Sequence, residues 1–295
     1  VHAAIIPSKA TSTWKEFFAG ALAGVTEILF TQPLIVASVK MKLMESPPTL
    51  ITLWRDIIKR EGLVGIYRGV ATNIACVIPW RSVRFASYYV LRNMLTGGNA
   101  ASANILQQMF SAFITGILET FVITPFDVVQ IAQIADRERI EPLYKGNLHC
   151  ARTILKREGI IKGFYRGFRS TCIRQMIYVT TYLVTYQQAK SVIIPFLLSP
   201  FSFLPIQSLT HLLSGMCAGI AGSTMNNPVD VVKTRIQRGQ NSSNNKIRGT
   251  LQGLSYIAKH EGFWGLYAGI RPKYLKTGLG SAVFFVTYEI IINHI

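Results

Sequence analysis

Hydrophobic positions fall into six long blocks, at 14–42, 70–92, 105–134, 169–190, 208–236 and 272–292. Each reaches the length of about 20 mostly apolar residues that a bilayer-spanning helix needs. The odd-numbered blocks carry small residues four apart: Gly20 and Gly24, Ala112 and Gly116, Gly215 and Gly219. That spacing lets helices approach closely in lipid, where packing drives association. Basic positions collect unevenly between the blocks. Arg55, Lys59 and Arg60, then Lys145, Arg152, Lys156 and Arg157, then Arg238, Lys246, Arg248 and Lys259 follow the odd blocks, in segments that read as short amphipathic helices. The connections 93–104 and 191–206 carry only Arg92 and Lys190 at their edges. The alternation is a positive-inside pattern and puts the three basic segments on the inner face. The fold class expected is all-α and membrane-embedded, six spanning helices with three short ones beside them.

The pattern is threefold in detail. TQPLIVASVKMK at 31–42, TPFDVVQIAQI at 124–134 and NPVDVVKTRIQ at 227–237 each end an odd block around a proline. A glycine signature follows each, EGLVGIYRG at 61–69, EGIIKGFYRG at 158–167 and EGFWGLYAG at 261–269. Pro33, Pro125 and Pro228 are separated by 92 and 103 residues. A period this long marks three two-helix units, taken as 10–98, 99–200 and 201–295. Stacked around an axis, they would enclose a space in which the function sits.

Composition agrees with lipid as solvent: 49% hydrophobic against 15% charged, with a mean hydropathy of +0.31. The net charge of +17 could suit nucleic acid, but its placement on one face suits anionic headgroups, attracted at about 1 kcal/mol per basic residue. Nucleic acid is therefore not an expected partner. Cys76, Cys150, Cys172 and Cys217 lack metal-binding spacing and read as reduced, packed thiols. The sequon Asn241-Ser242-Ser243 falls in an expected inner segment and reads as chance. No P-loop, nucleophile elbow, metal cluster or paired catalytic acids are found, so an enzyme is not expected and no metal or cofactor is required.

The P-x-[DE]-x-x-[KR] element with the later EG…[FY][KR]G, in three co-registered copies over about 10–293, resembles the mitochondrial carrier family. The resemblance implies six tilted helices in a threefold pseudosymmetric bundle with short amphipathic matrix helices. It further implies a central water-filled cavity, alternating access between two gates, a multi-pass place in the mitochondrial inner membrane, bound cardiolipin, and exchange of a small anionic metabolite by a functional monomer. Some members reside in peroxisomal or other organelle membranes, and sequence does not separate these.

Against that family the gates are incomplete. For the matrix gate, repeat three is whole, with Asp230, Lys233 and the bracing Gln237; repeat two keeps Asp127 but has Gln130 for the base; repeat one has Ile35 and Ser38. The family's pairing rule leaves only Asp127 with Lys233, and Asp230 without its usual lysine. At the cytoplasmic gate the copies are Tyr88-Tyr89…Arg92, Tyr186-Gln187…Lys190 and Tyr288-Glu289…Ile292, leaving Glu289 with Arg92. Both gates are expected to open more easily.

Seven residues past the last signature glycine stand Cys76, Arg174 and Lys276, matching the family's substrate contact points. Arg174-Gln175 resembles carboxylate and keto-acid carriers, and Arg81 and Arg84 in IPWRSVRF resemble oxodicarboxylate and citrate carriers. Arginine at mid-membrane costs about 2.5–3.5 kcal/mol, so such residues face water or a partner. Glu27 and Glu119 each lie six residues before a repeat proline, with Gly222 at the third position. Each is eleven residues before a gate position, close to three whole turns, and so is placed on the cavity side. They read either as proton or competition devices or as neutralising partners of Arg81 or Arg84. Tyr178, Thr181 and Tyr182 share the Arg174 face, for packing or for orienting a keto or hydroxyl group. A cationic cavity suits a substrate with two or three carboxylates. The expected function is exchange of di- or tricarboxylates of the 2-oxodicarboxylate or citrate kind. A carrier of phosphate, nucleotide or protons and fatty acids is the alternative, as is a degenerate carrier that organises membrane.

Overall fold

The computed structural model describes residues 13–97, 104–136, 143–198, 206–238, 247 and 249–294. Positions 10–12, the repeat limits at 98–99 and 200–201, the sequon at 241–243, Lys246 and Arg248 lie outside the described residues. Among the described residues the chain is helical throughout. The helices are α1 (Thr13–Leu43), α2 (Leu50–Glu61), α3 (Val70–Leu95), α4 (Ile105–Asp136), α5 (Asn147–Gly159), α6 (Phe168–Leu198), α7 (Ile206–Gln237), α8 (Thr250–His260) and α9 (Ile270–His294). The order long, short, long repeats three times.

Four stretches, Ala19–Leu43, Leu63–Leu95, Leu106–Asp136 and Phe263–Ile292, are long and apolar enough to cross a membrane by composition. Helices α6 and α7 have the length, but inward polar residues such as Arg174, Gln175, Asn226 and Asp230 dilute them. Large apolar side chains, among them Phe30, Phe110, Met225 and Val286, are exposed on the outside, where acyl chains are as apolar as they are.

The second long helix of each repeat packs along the first of the next, α3 on α4, α6 on α7, and α9 back on α1, which closes a ring. Within a repeat, the second small residue of each pair lets a neighbour through. A Cβ on Gly24 would meet the Arg81 guanidinium at 3.0 Å, one on Gly116 the Gln175 Cγ at 3.1 Å, and one on Gly219 the Thr277 Cγ2 at 2.6 Å. The glycines thus clear space at cavity level.

The buried core sits at the inner end. Past each proline α1, α4 and α7 converge and cover themselves with the amphipathic helices: Leu53 and Ile57 of α2 against Val36 and Val39, Cys150 and Ile154 of α5 against Val128 and Ala132, Ile257 of α8 against Val231 and Val232. The prolines remove a backbone bond each without ending the helix. The residue before the proline then reaches the signature turn: Gln32 Nε2 donates to Arg68 O at 2.7 Å and Asn227 Nδ2 to Leu266 O at 3.0 Å. The signature glutamates anchor the same joint. Glu61 accepts from Lys40 at 2.8 Å, Glu158 from Arg166 at 2.5 Å, and Glu261 is gripped by Arg235 through both oxygens. Gly269 ends its signature at φ +70°, and a Cβ there would lie 2.6 Å from Ser38 O. Repeat two holds one residue more between its signature glutamate and last glycine, and absorbs it as a π-helical turn over Ile160–Phe164 where the others are 3-10.

All four cysteines are free. Cys150 is buried, and burial, with Asp136 nearby, pushes its thiol up to about 12 against the opposing pull of Arg166. Cys217 departs from the expected packed thiol: it is exposed on α7, in the ring's apolar surround.

Candidate functional site

A cavity of about 520 Å3 occupies the middle of the ring, lined from all six long helices. Cys76, Arg81, Arg84, Arg174, Gln175 and Lys276 all line it, as do Glu27 and Glu119. Tyr178 and Tyr182 do too, their rings 5.8 Å apart, whereas Thr181 is not part of the lining.

The two acids are taken by the two arginines of α3. Arg81 Nη2 lies 2.9 Å from Glu27 Oε2, with the guanidinium 4.5 Å above the Phe284 ring. Arg84 grips Glu119 with both Nε and Nη2, at 2.5 and 2.7 Å. Glu119, 2% exposed, also accepts from Trp80 Nε1 at 3.0 Å and Gln175 Nε2 at 3.1 Å. This is the neutralising arrangement of the two read from sequence. Three residues along a helix turn the side chain by about 60°, so Arg81 reaches α1 on one side of α3 and Arg84 reaches α4 on the other. In repeat three, where Gly222 replaces an acid, the Tyr178 ring fills the space at 3.0 Å from a Cβ built there.

Two contact-point cations are differently placed. Arg174 donates through Nη2 to Gln175 Oε1 at 3.0 Å, while its Nε is buried without a hydrogen bond. Lys276 lines the cavity and, among the described residues, has no hydrogen-bond or ion-pair partner.

At the inner end the gate differs from the sequence expectation of a single surviving pair. Asp127 does pair with Lys233, a lysine whose side chain is 6% exposed. Asp230 is also held: Lys42 Nζ approaches it at 2.7 Å and Lys273 Nζ at 2.9 Å, with Arg174 Nε at 3.9 Å from its other oxygen. Lys42 stands nine residues past Pro33, where repeat three has Gln237. It lies one turn beyond Ser38, and its long side chain crosses to α7 in place of the missing base. Ser38 instead donates to Gly269 O at 3.0 Å. Gln237 is fully buried and reaches Thr171 Oγ1 at 3.5 Å. The inner end therefore holds the Asp127–Lys233 pair and a cluster of cations on Asp230, not one pair alone.

The outer end is unlatched. Among the described residues no ion pair joins Arg92, Lys190 or Glu289, and Glu289 is exposed. The pair expected between Glu289 and Arg92 is absent among the described residues. An asymmetric outcome follows for purified protein in detergent. Asp127→Ala strands the buried Lys233 charge and should lower stability by about 3–5 kcal/mol. Glu289→Ala removes an unpaired surface group and should change it by less than about 0.5 kcal/mol. Thermal melts of the two variants check this; equal melting would mean that the inner pair does not hold the closed end.

A ring of three helix pairs around a charged cavity is the architecture of a membrane transporter. The mitochondrial carrier protein family profile matches residues 9–99, 101–196 and 205–295, and the chain belongs to that family. It is similar to the succinate/fumarate mitochondrial transporter of Saccharomyces cerevisiae, 29% identical over 97% of this chain and 93% of that protein. The mitochondrial 2-oxodicarboxylate carrier of Rattus norvegicus is 30% identical over 94% and 93%. The probable mitochondrial 2-oxodicarboxylate carrier of Dictyostelium discoideum is 28% identical over 97% and 93%. The chain is thus a multi-pass transporter of the mitochondrial inner membrane and not an enzyme.

Proposed function

We propose that this carrier exchanges 2-oxodicarboxylates, or acids of the citrate kind, across the inner membrane, binding them between Arg174 and Lys276. As a class its cargo is a dicarboxylate, the chemistry that the names of its relatives share. The observation that carries the finer reading is the charge of the cavity wall. Seven basic and four acidic residues line it. Glu27, Glu119 and Asp127 are matched one to one by Arg81, Arg84 and Lys233. Lys42, Arg174, Lys273 and Lys276 then remain against Asp230 alone, an excess of three positive charges on the wall, and Arg174 and Lys276 have donors to spare. Carboxylates on both ends of a short acid suit such a pair, since charge-assisted contacts are the stronger hydrogen bonds. Arg81 or Arg84 would complete the site by exchanging its internal acid for the substrate.

The test is a panel of labelled metabolites exchanged by the purified carrier in liposomes. Expected is saturable uptake of 2-oxoglutarate against internal 2-oxoglutarate. Uptake of ATP or phosphate with no carboxylate exchange would overturn the reading, and no transport of any solute would favour a membrane-organising role.

Cardiolipin belongs to the same proposal. A pocket of about 220 Å3 lies between the first residues of α3, Val70 and Ala71, and of α5, Asn147, with Arg68 and Lys145 on its wall. Two helix N-termini and two cations make a site for phosphate.

A further inference from the structure

We infer that Lys273 and Asn226 form a second anchor for the substrate, one turn below Lys276 and outside the three contact positions. This rests on the polycarboxylate reading above. Both residues line the cavity. Lys273 Nζ donates to Asn226 Oδ1 at 2.6 Å and to Asp230 Oδ2 at 2.9 Å. Asn226 is 1% exposed, and its Nδ2 has no hydrogen-bond partner. A buried orphan donor costs about 1–3 kcal/mol, so its persistence on the wall of a cavity signals an acceptor that arrives from outside.

The neighbours narrow what that acceptor is. Lys42, Lys273 and the more distant Arg174 converge on Asp230, the one acid of this cluster. Arg174 Nε is a second buried donor with no hydrogen bond. Three cations and two idle donors around one carboxylate leave capacity for a further carboxylate oxygen. A carboxylate of the substrate takes it, accepting from Asn226 Nδ2 and from Lys273 Nζ in exchange for that ammonium's long bonds to Ser223 O at 3.5 Å and Asn227 Oδ1 at 3.4 Å, while Asp230 keeps Lys42. The position also explains why a lysine is used on α9. A long flexible ammonium can serve Asp230 and a ligand in turn, with three donors and no fixed fork.

The subsite predicts a split between binding and turnover. In liposomes exchanging labelled 2-oxoglutarate, Lys273→Gln should raise KM about tenfold or more, the loss of a hydrogen bond to a charged group. Lys273→Arg, which keeps the charge, should recover most of that loss. Asn226→Leu removes the orphan donor together with the Oδ1 that holds Lys273, and leaves the charges unchanged; KM should rise about three- to tenfold. In both Lys273→Gln and Asn226→Leu the thermal shift induced by 2-oxoglutarate should shrink. Unchanged KM in both variants, or a lower melting temperature with the ligand-induced shift intact, overturns the subsite. If Arg174→Ala abolishes exchange while these two variants bind normally, the carrier reading stands and only this anchor falls. If the unaltered protein exchanges no polycarboxylate, the functional reading has failed first.

Discussion

Arg174→Ala is expected to cut uptake of labelled 2-oxoglutarate into liposomes loaded with 2-oxoglutarate by at least about a hundredfold. A guanidinium offers a carboxylate two parallel bonds, and hydrogen bonds to charged groups contribute about 1.5–3 kcal/mol each. Losing both removes roughly 3–6 kcal/mol of binding. Folding should persist, for Arg174 comes no nearer to Asp230 than 3.9 Å, and Asp230 retains Lys42 and Lys273. The bond to Gln175 is between neighbours in sequence and holds no helices together. An Arg174→Ala carrier with normal uptake would remove this residue, and with it the cavity wall of α6, from the substrate site.

Asp230→Asn should produce the largest stability loss among the gate residues. Asp230 is 9% exposed, Lys42 5%. Without the carboxylate, the two lysines and Arg174 face one another with no negative charge between them. Removing one member of a buried pair costs about 3–5 kcal/mol, and here one acid serves two close partners. The melt of Asp230→Asn should therefore fall further than that of Asp127→Ala. Equal melting of Asp230→Asn and the unaltered protein would mean that the cluster is solvated and does not seal the inner end.

Much of this architecture is legible in the chain because it is written three times. Prolines, signature glutamates and glycines recur in register, and each glutamate finds its basic partner within its own repeat. The closure of that joint by Gln32 and Asn227 follows from their place before the proline. The gate was less legible. Pairing by fixed offset from the proline skips Lys42, since it stands one turn late; only the reach of a lysine across the converged helix ends restores the contact. Lys273 carries no repeat signal, because Asn73 and Thr171 hold its position in the other repeats. Nor could spacing decide which acid meets which arginine. That depends on α3 lying between α1 and α4, a relation between helices that no single helix encodes.

The uncompensated charge of the cavity has an electrical consequence. Work against a membrane potential amounts to about 2.3 kcal/mol per elementary charge per 100 mV. An empty carrier reversing its facing must drag its surplus of three positive charges through part of that field. A dianion aboard removes most of the burden, and a trianion all of it. On the exchange reading proposed above, the laden protein would turn over where the bare one stalls, and each trip outward would be matched by a passenger on the way back.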